Sequence, residues 1–170
     1  MSDMLVNKVA ESGLITLDPA QFLGEEKVMG FDLKDFLFMG AILKEKDFRE
    51  AMQSHEWSAY AGAHVAVFCS ADAIIPMWAY MLVASRLTPV AASCYSGTPD
   101  ELRKKIFLNR LDQLDTESFR DQRVVVKGCG DQPIGEYAYL EITRRLLPLV
   151  RSLMYGEACS AVPVYKKKAE

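Results

Sequence analysis

Three cysteines of this chain follow short apolar runs that are typical of buried strands. Cys69 comes after HVAVF, Cys129 after VVVKG, and Cys159 after SLMY and a short Gly-Glu-Ala segment. Thiolates ligate zinc and iron and act as sulfur nucleophiles. Because ligands usually bind at the carboxyl edge of a parallel sheet, we expect the three loops to share one rim. The spacing therefore predicts a three-thiolate site for zinc or iron, with oxygen, nitrogen or water in the fourth position.

Several neighbours of these cysteines support the same chemistry. Lys127 brings a positive charge close to Cys129, and the helices predicted after Cys69 and Cys129 would stabilise a thiolate through their unpaired amides. Gly128 and Gly130 flank Cys129 and permit positive φ, which can turn backbone N–H groups inward toward an anion or a metal-bound thiolate. Candidate oxygen ligands or capping groups are Asp72 and Asp131.

The same cysteines also fit a purely structural role. Free cysteine is among the residue types most often buried, and the sequence contains no CxxC pair. Cys94 lies inside the run VAASCY, so we expect it to be buried and structural. His55 and His64 are expected to pack or to cap rather than to catalyse. Metal ligation and burial therefore both stay open for the three loop cysteines.

Short β-branched runs alternate with longer amphipathic stretches over the second two-thirds of the chain. This alternation indicates a parallel sheet covered by helices. The predicted strands are His64–Phe68, Val90–Tyr95, Arg123–Lys127 and Ser152–Tyr155. The predicted helices are Ile74–Leu87 with Asp72 as its N-cap, a helix that begins at Thr98–Glu101, and Gly135–Leu147. The lysines at 166–168 are expected to form a solvated end.

Residues 1–60 are predicted to form an N-terminal arm, with edge strands at Ile15–Leu17 and Lys27–Phe31 and a helix at Lys46–Ser54. Their aromatic load is too apolar to stay in water, so the arm should pack on the core, residues 61–170, or on a second subunit in a homodimer. The phenylalanines concerned are Phe22, Phe31, Phe36, Phe38 and Phe48. We therefore expect one α/β domain, a three-layer αβα arrangement with a mainly parallel sheet and an N-terminal arm.

Composition excludes several classes of protein. The 170 residues are 50% hydrophobic and 25% charged with a formal net charge of -3, which is typical of a globular domain and argues against nucleic-acid binding. The N-terminus lacks a signal-peptide pattern, and the longest uncharged stretches are shorter than the ~20 residues of a membrane helix. We therefore expect a cytoplasmic protein that does not span a membrane. The sequence has no nucleotide-cofactor motif and no hydrolase triad pattern.

Five segments of the chain form a distinctive set: NKVAESGLITLD, LKEKDFREAM, VFCSADAIIPMWAYMLVASRL, FRDQRVVVKGCGDQPI and YLEITRRLLPLVRSLMYGEACSAVPVYKK. Together they resemble a bacterial family, domain of unknown function 2480, over roughly Val6–Lys168. The most distinctive pieces are the three cysteine loops. The family has no established activity. The resemblance implies an association with the SUF iron–sulfur assembly system, because genes of the family are often found near the SUF genes.

These features favour a cytoplasmic accessory protein that binds a metal through thiolates or handles sulfur, with iron–sulfur assembly proteins as partners. A second hypothesis is a non-catalytic interaction or dimerisation module in which the cysteines are structural. A third is a small-molecule enzyme that uses the crevice at the strand ends. The hypotheses differ in whether the three loop cysteines are reactive.

Overall fold

The computed structural model describes residues 13–128, 133–157 and 159–168. The chain divides into two compact units. One unit comprises Met1–Gly24 and Phe107–Glu170, and the other comprises Glu25–Ile106. The segment predicted to be an arm thus contributes residues to both units. Docking of such an arm on a second subunit stays a prediction.

Within the described residues, the chain forms seven strands and four α-helices. The strands are β1 (Leu14–Leu17), β2 (Val28–Asp32), β3 (His64–Phe68), β4 (Ser93–Ser96), β5 (Arg123–Val126), β6 (Ser152–Tyr155) and β7 (Val162–Lys166). The helices are α1 (Glu45–Ser54), α2 (Met77–Leu87), α3 (Pro99–Leu111) and α4 (Glu136–Leu146). None of these four helices has the length and hydrophobicity needed to cross a membrane.

The Glu25–Ile106 unit is built on a three-stranded parallel sheet with the order β2-β3-β4. The central strand β3 buries Val65, Ala66 and Val67, as expected for a parallel strand covered on both faces. Val65 and Val67 share one core cluster with apolar residues of α1 and α2. The helical members of that cluster are Phe48, Met52, Ala79, Val83 and Leu87.

Aromatic residues from the predicted arm extend this core. Phe31 is almost fully buried, with the ring centroids of Phe36 at 5.3 Å and Trp57 at 5.5 Å, both stacked. His55 packs edge-on against Phe31 at 5.3 Å, which agrees with a packing role. Burying an aromatic ring of this size contributes about 1.5–3 kcal/mol to folding. Of the five phenylalanines of the predicted arm, Phe38 is the one that is exposed.

The other unit is built on a four-stranded sheet with the order β1-β5-β6-β7. β1, β5 and β6 run parallel, and β7 pairs with β6 in the antiparallel direction. Val124, Val126 and Leu153 lie in one core cluster with apolar residues of α3 and α4. The helical members are Phe107, Leu111, Ala138, Ile142 and Leu146.

The α/β class and the mostly parallel pairing are confirmed, although the strands lie in two sheets where one was predicted. Residues 166–168 are exposed, as the prediction of a solvated end requires. Lys166 is in addition the last residue of β7 and pairs with Ser152. Pro163 lies inside β7, and a proline within an apolar run weakens the sequence pattern of a strand. Asp72 is not the N-cap of α2, because that helix begins at Met77.

The start of α3 carries a capping box of the kind the sequence predicts. The Thr98 backbone N–H donates to Glu101 Oε2 at 2.7 Å, and the Glu101 backbone N–H donates to Thr98 Oγ1 at 3.3 Å. These bonds satisfy backbone donors that the helix itself leaves unpaired. They also hold the pKa of Glu101 below its ordinary value, chiefly through the Thr98 amide. The first turn of α3 is thus capped by residues of the same segment.

Thr98→Ala should lower the free energy of unfolding by about 1 kcal/mol, because it removes the side-chain cap of α3. Urea unfolding followed by circular dichroism measures the change. Thr116→Ala is the matched control, since no hydrogen bond of the Thr116 hydroxyl is found in the described part of the chain. An equal loss in both variants would mean that the capping box does not stabilise α3.

Candidate functional site

Two of the predicted cysteine loops leave the same edge of the four-stranded sheet. β5 and β6 are adjacent and parallel, with Val126 paired to Tyr155 at their carboxyl ends. Cys159 follows β6 and is exposed. Cys129, Gly130 and Asp131 follow β5 in the sequence and lie outside the described residues. The edge after β5 and β6 is therefore where the Cys129 and Cys159 loops begin.

Lys127 lies at this edge and forms an ion pair with Asp18, the residue that follows β1. Its Nζ is 3.1 Å from Asp18 Oδ2, and both side chains are partly exposed. Asp18 also accepts a hydrogen bond from the Ala20 backbone N–H at 2.9 Å. That bond, followed by the contact with Lys127, holds the pKa of Asp18 below its ordinary value. Lys127, which the sequence predicts to place a positive charge near Cys129, thus also forms an ion pair with Asp18.

Gly128 is needed for close packing rather than for positive φ. It is absent from the described glycines with positive φ, and a Cβ built on it would lie 2.4 Å from Tyr155 Cζ. Tyr155 Oη donates to the Gly128 carbonyl at 3.3 Å, and Tyr139 Oη donates to the Lys127 carbonyl at 3.4 Å. The two tyrosine rings are in edge contact at 5.5 Å. Both rings therefore hold the backbone at the start of the loop after β5.

Cys69 lies at the end of β3, in the three-stranded sheet. The sequence predicts all three cysteine loops at one edge of a single sheet. That prediction of a single sheet is wrong, because β3 is not in the sheet of β5 and β6. The partly buried Cys69 Sγ donates to the Ala71 carbonyl at 3.5 Å. Burial, and then the proximity of Cys69, raise the pKa of Tyr80.

The loop that begins at Cys69 is anchored by Asp32, which sequence reasoning missed. Asp32 Oδ1 accepts from the backbone N–H groups of Ser70 and Lys34, each at 3.0 Å, and Asp32 Oδ2 accepts from the Ser70 hydroxyl. Burial acts to raise the pKa of Asp32, but these hydrogen bonds outweigh it and lower the pKa overall. The signal in the sequence is an acid directly after Phe31, where a strand is predicted to end. Asp72, further along the loop, is exposed.

Cys94 is exposed, so the expectation that it is buried is wrong. It belongs to β4, which is an edge strand of its sheet. Edge strands are covered less completely than central ones, and Ser93 and Ser96 of β4 are exposed as well. His64, predicted to pack or cap, places Nδ1 2.7 Å from Ser93 Oγ on the neighbouring strand. Cys94 is therefore an accessible reference thiol outside the predicted ligand set.

No group of three or more His, Cys, Asp or Glu side chains suited to a metal ion is found in residues 13–128, 133–157 and 159–168. The predicted ligand set includes Cys129 and Asp131, which lie outside those ranges. Ligation by Cys69, Cys129 and Cys159 therefore stays a prediction. The described residues contribute one exposed thiol, Cys159, at the edge after β5 and β6.

Ser70→Ala should destabilise the protein in a pH-dependent way. Asp32 has a lowered pKa in the folded state, so its hydrogen bonds stabilise the fold above the ordinary aspartate pKa and lose that effect as pH falls through the lowered value. We expect a loss of about 0.5–1 kcal/mol at neutral pH, reduced by solvent screening, and convergence with wild type as the pH falls below the lowered pKa of Asp32.

Urea unfolding across this pH range measures the effect. Ser85→Ala is the control, because the Ser85 hydroxyl donates to the non-titrating Leu82 carbonyl at 2.7 Å. Its cost should not depend on pH. A Ser70→Ala cost that is equally constant would contradict the assigned role of Asp32.

Gly128→Ala should cost about 1 kcal/mol of stability, because the added methyl displaces the Tyr155 ring from its contact with the loop backbone. In a Tyr155→Ala background the same change should be neutral or slightly stabilising, because alanine reduces the entropy of the unfolded chain. The double-mutant cycle in urea measures the coupling. Equal costs in both backgrounds would rule out the Tyr155 contact as the constraint on Gly128.

Comparison with known proteins gives one match that covers nearly the whole chain. No curated protein and no solved structure matches it. The model of one family, described as protein of unknown function (DUF2480), matches residues 3–167. That range includes all three predicted cysteine loops and both sheets. The chain therefore belongs to the DUF2480 family of proteins of unknown function.

Proposed function

We propose that this protein is a cytoplasmic accessory protein that binds zinc or iron through cysteine thiolates, or handles sulfur with them. The observation that supports the proposal is the adjacency of β5 and β6, whose carboxyl ends precede Cys129 and Cys159. Adjacent parallel strands are a common source of ligand-binding loops. Cys129 and Cys159 are the principal pair in this proposal.

The surroundings of the edge after β5 and β6 favour chemistry with an external group. Cys159 is exposed, so a metal donor or a sulfur acceptor can approach it. Gly156 directly follows β6 and has a φ of +119°. The next turn contains Cys159 and is closed by a hydrogen bond from the Ser160 N–H to the Glu157 carbonyl at 2.9 Å. A left-handed glycine lets the chain reverse directly after β6. The thiol is therefore carried on a short turn at the end of a paired strand.

Cys69 has a different environment and enters the proposal as a further thiolate. Its Sγ hydrogen bond to the Ala71 carbonyl would have to break before the sulfur binds a metal. Asp72 and Asp131 are the proposed oxygen ligands, and Lys127 would support the negative charge of the site. The proposed partners are a second copy of the chain, on the aromatic load of residues 1–60, and iron–sulfur assembly proteins, on the resemblance to the DUF2480 family.

Metal content per chain tests this proposal. The protein is purified under low oxygen without chelators or a metal-affinity resin, and zinc and iron are measured by mass spectrometry. Wild type should carry close to one metal per chain, and Cys129→Ser and Cys159→Ser should each lose most of it, because thiolate ligands act together. Cys69→Ser reports whether the third thiolate takes part.

Cys94→Ser is the matched control, since Cys94 is also an exposed cysteine. It should keep the wild-type metal content. If all four serine variants behave alike, the proposed pair has no special role. If wild type carries no metal, the rates at which the single thiols react with a disulfide reagent test sulfur handling, and uniformly slow reaction would reject it.

A second candidate function is an interaction module, and one surface favours it. Ile74, Met77 and Met81 are 94%, 71% and 72% exposed. Met77 and Met81 lie one turn apart on α2, and Ile74 precedes the helix. Exposed methionines on one helix face are common at adaptable binding surfaces. A metal-free protein with unreactive thiols would make this surface the better guide to function.

A further inference from the structure

A row of polar and basic side chains crosses the amino-terminal edge of the four-stranded sheet. Arg123, the first residue of β5, pairs with Ser152 of β6, and Ser152 pairs with Lys166 of β7. Directly paired residues on adjacent strands share one face of a sheet. Arg123, Ser152 and Lys166 therefore form a lateral row, although they are distant in the sequence.

This row lies on the face opposite the apolar core. The next row, Val124, Leu153 and Tyr165, joins the core cluster of its unit. Because side chains alternate between the faces of a strand, the row that begins with Arg123 points to the other face. The basic side chains are thus held by strands whose opposite face is buried, which fixes their spacing.

Further cations converge on the same place. Arg151 precedes Ser152, and Lys167 and Lys168 follow Lys166. One depression is lined by these four basic residues together with Asp121. The Lys167 backbone N–H donates to the Arg151 carbonyl at 2.9 Å. Among the described residues of that lining Asp121 is the single acid, and it lies 3.8 Å from Lys167 Nζ. These described residues therefore carry more positive than negative charge, in a chain whose formal net charge is -3.

An adjoining depression shares Arg151 and Lys166 and adds an apolar floor. Its lining includes Met154 and Pro163, and its volume is about 400 Å³. That volume falls in the range of small-molecule pockets. The Ser152 hydroxyl lies between the basic residues in the strand register and can donate or accept a hydrogen bond. The pocket therefore joins several cations, a hydroxyl and an apolar surface.

We propose that this pocket binds a small molecule that carries at least two phosphate groups. Guanidinium and ammonium groups on neighbouring strands can contact separate phosphates, and closely spaced cations repel one another until an anion binds. The negative charge of the whole chain opposes attraction of a long polyanion, so a compact ligand fits better than nucleic acid. The pocket is at the amino ends of β5 and β6, whereas the Cys129 and Cys159 loops begin at their carboxyl ends, and it is independent of the proposed thiolate function.

Isothermal titration calorimetry with inorganic pyrophosphate at low ionic strength tests the proposal. Wild type should bind, and Arg151→Gln/Lys166→Gln should bind at least about tenfold more weakly, because both shared cations of the pocket are lost. Lys46→Gln/Arg86→Gln is the matched control, which removes the same charge from exposed sites in the other unit. It should bind as wild type does.

Each other result bears on the proposal. Equal weakening in the two double variants would mean that only net charge matters and would overturn the pocket assignment. Absence of pyrophosphate binding by wild type would overturn it as well. Binding of a single-stranded oligonucleotide or of phosphatidylserine vesicles, without pyrophosphate binding, would replace the small ligand with a surface for a larger polyanion. Circular dichroism of each variant verifies that it is folded.

Discussion

Parallel pairing on both sides of β5 is the interaction on which the four-stranded sheet depends. β5 forms ladders with β1 and β6, and its three valines are buried. This one short strand joins the N-terminal segment of its unit to the C-terminal half of the chain. Its two ends carry different chemistry, because the cysteine loop follows the carboxyl end and the basic row begins at the amino end. A change that shifted the register of β5 would therefore disturb both edges together.

Much of the local structure could be predicted because it depends on neighbours in the sequence. The apolar run HVAVF marks β3 with the bounds that the structure gives, and Thr98 with Glu101 marks the start of α3. These signals rest on burial of a β-branched run and on capping of unpaired amides. They require no knowledge of which strands are partners. The two edge strands predicted near Ile15 and Lys27 agree with the structure for the same reason.

The arrangement of the site could not be predicted in the same way, because it depends on long-range pairing. Cys69 and Cys159 follow equally strand-like runs, yet β3 and β6 belong to different sheets. Local patterns identify strands without assigning their partners. The Asp32–Ser70 hydrogen bonds and the basic row were missed for this reason, since each joins residues that only the sheet register brings together. The cysteine motifs therefore marked the ends of strands without indicating which of those strands share a sheet.

The sequence of β7 also has a consequence for how the protein behaves at high concentration. Among the described strands, β7 lies at one border of the four-stranded sheet, and its outer side is a potential template for a strand from another molecule. Pro163 has no backbone N–H to donate, and three consecutive lysines from Lys166 onward bring repelling charge to the end of the strand. Both features discourage edge-to-edge aggregation at this border. The lysines that we assign to anion binding thereby also help to keep the sheet from growing between molecules.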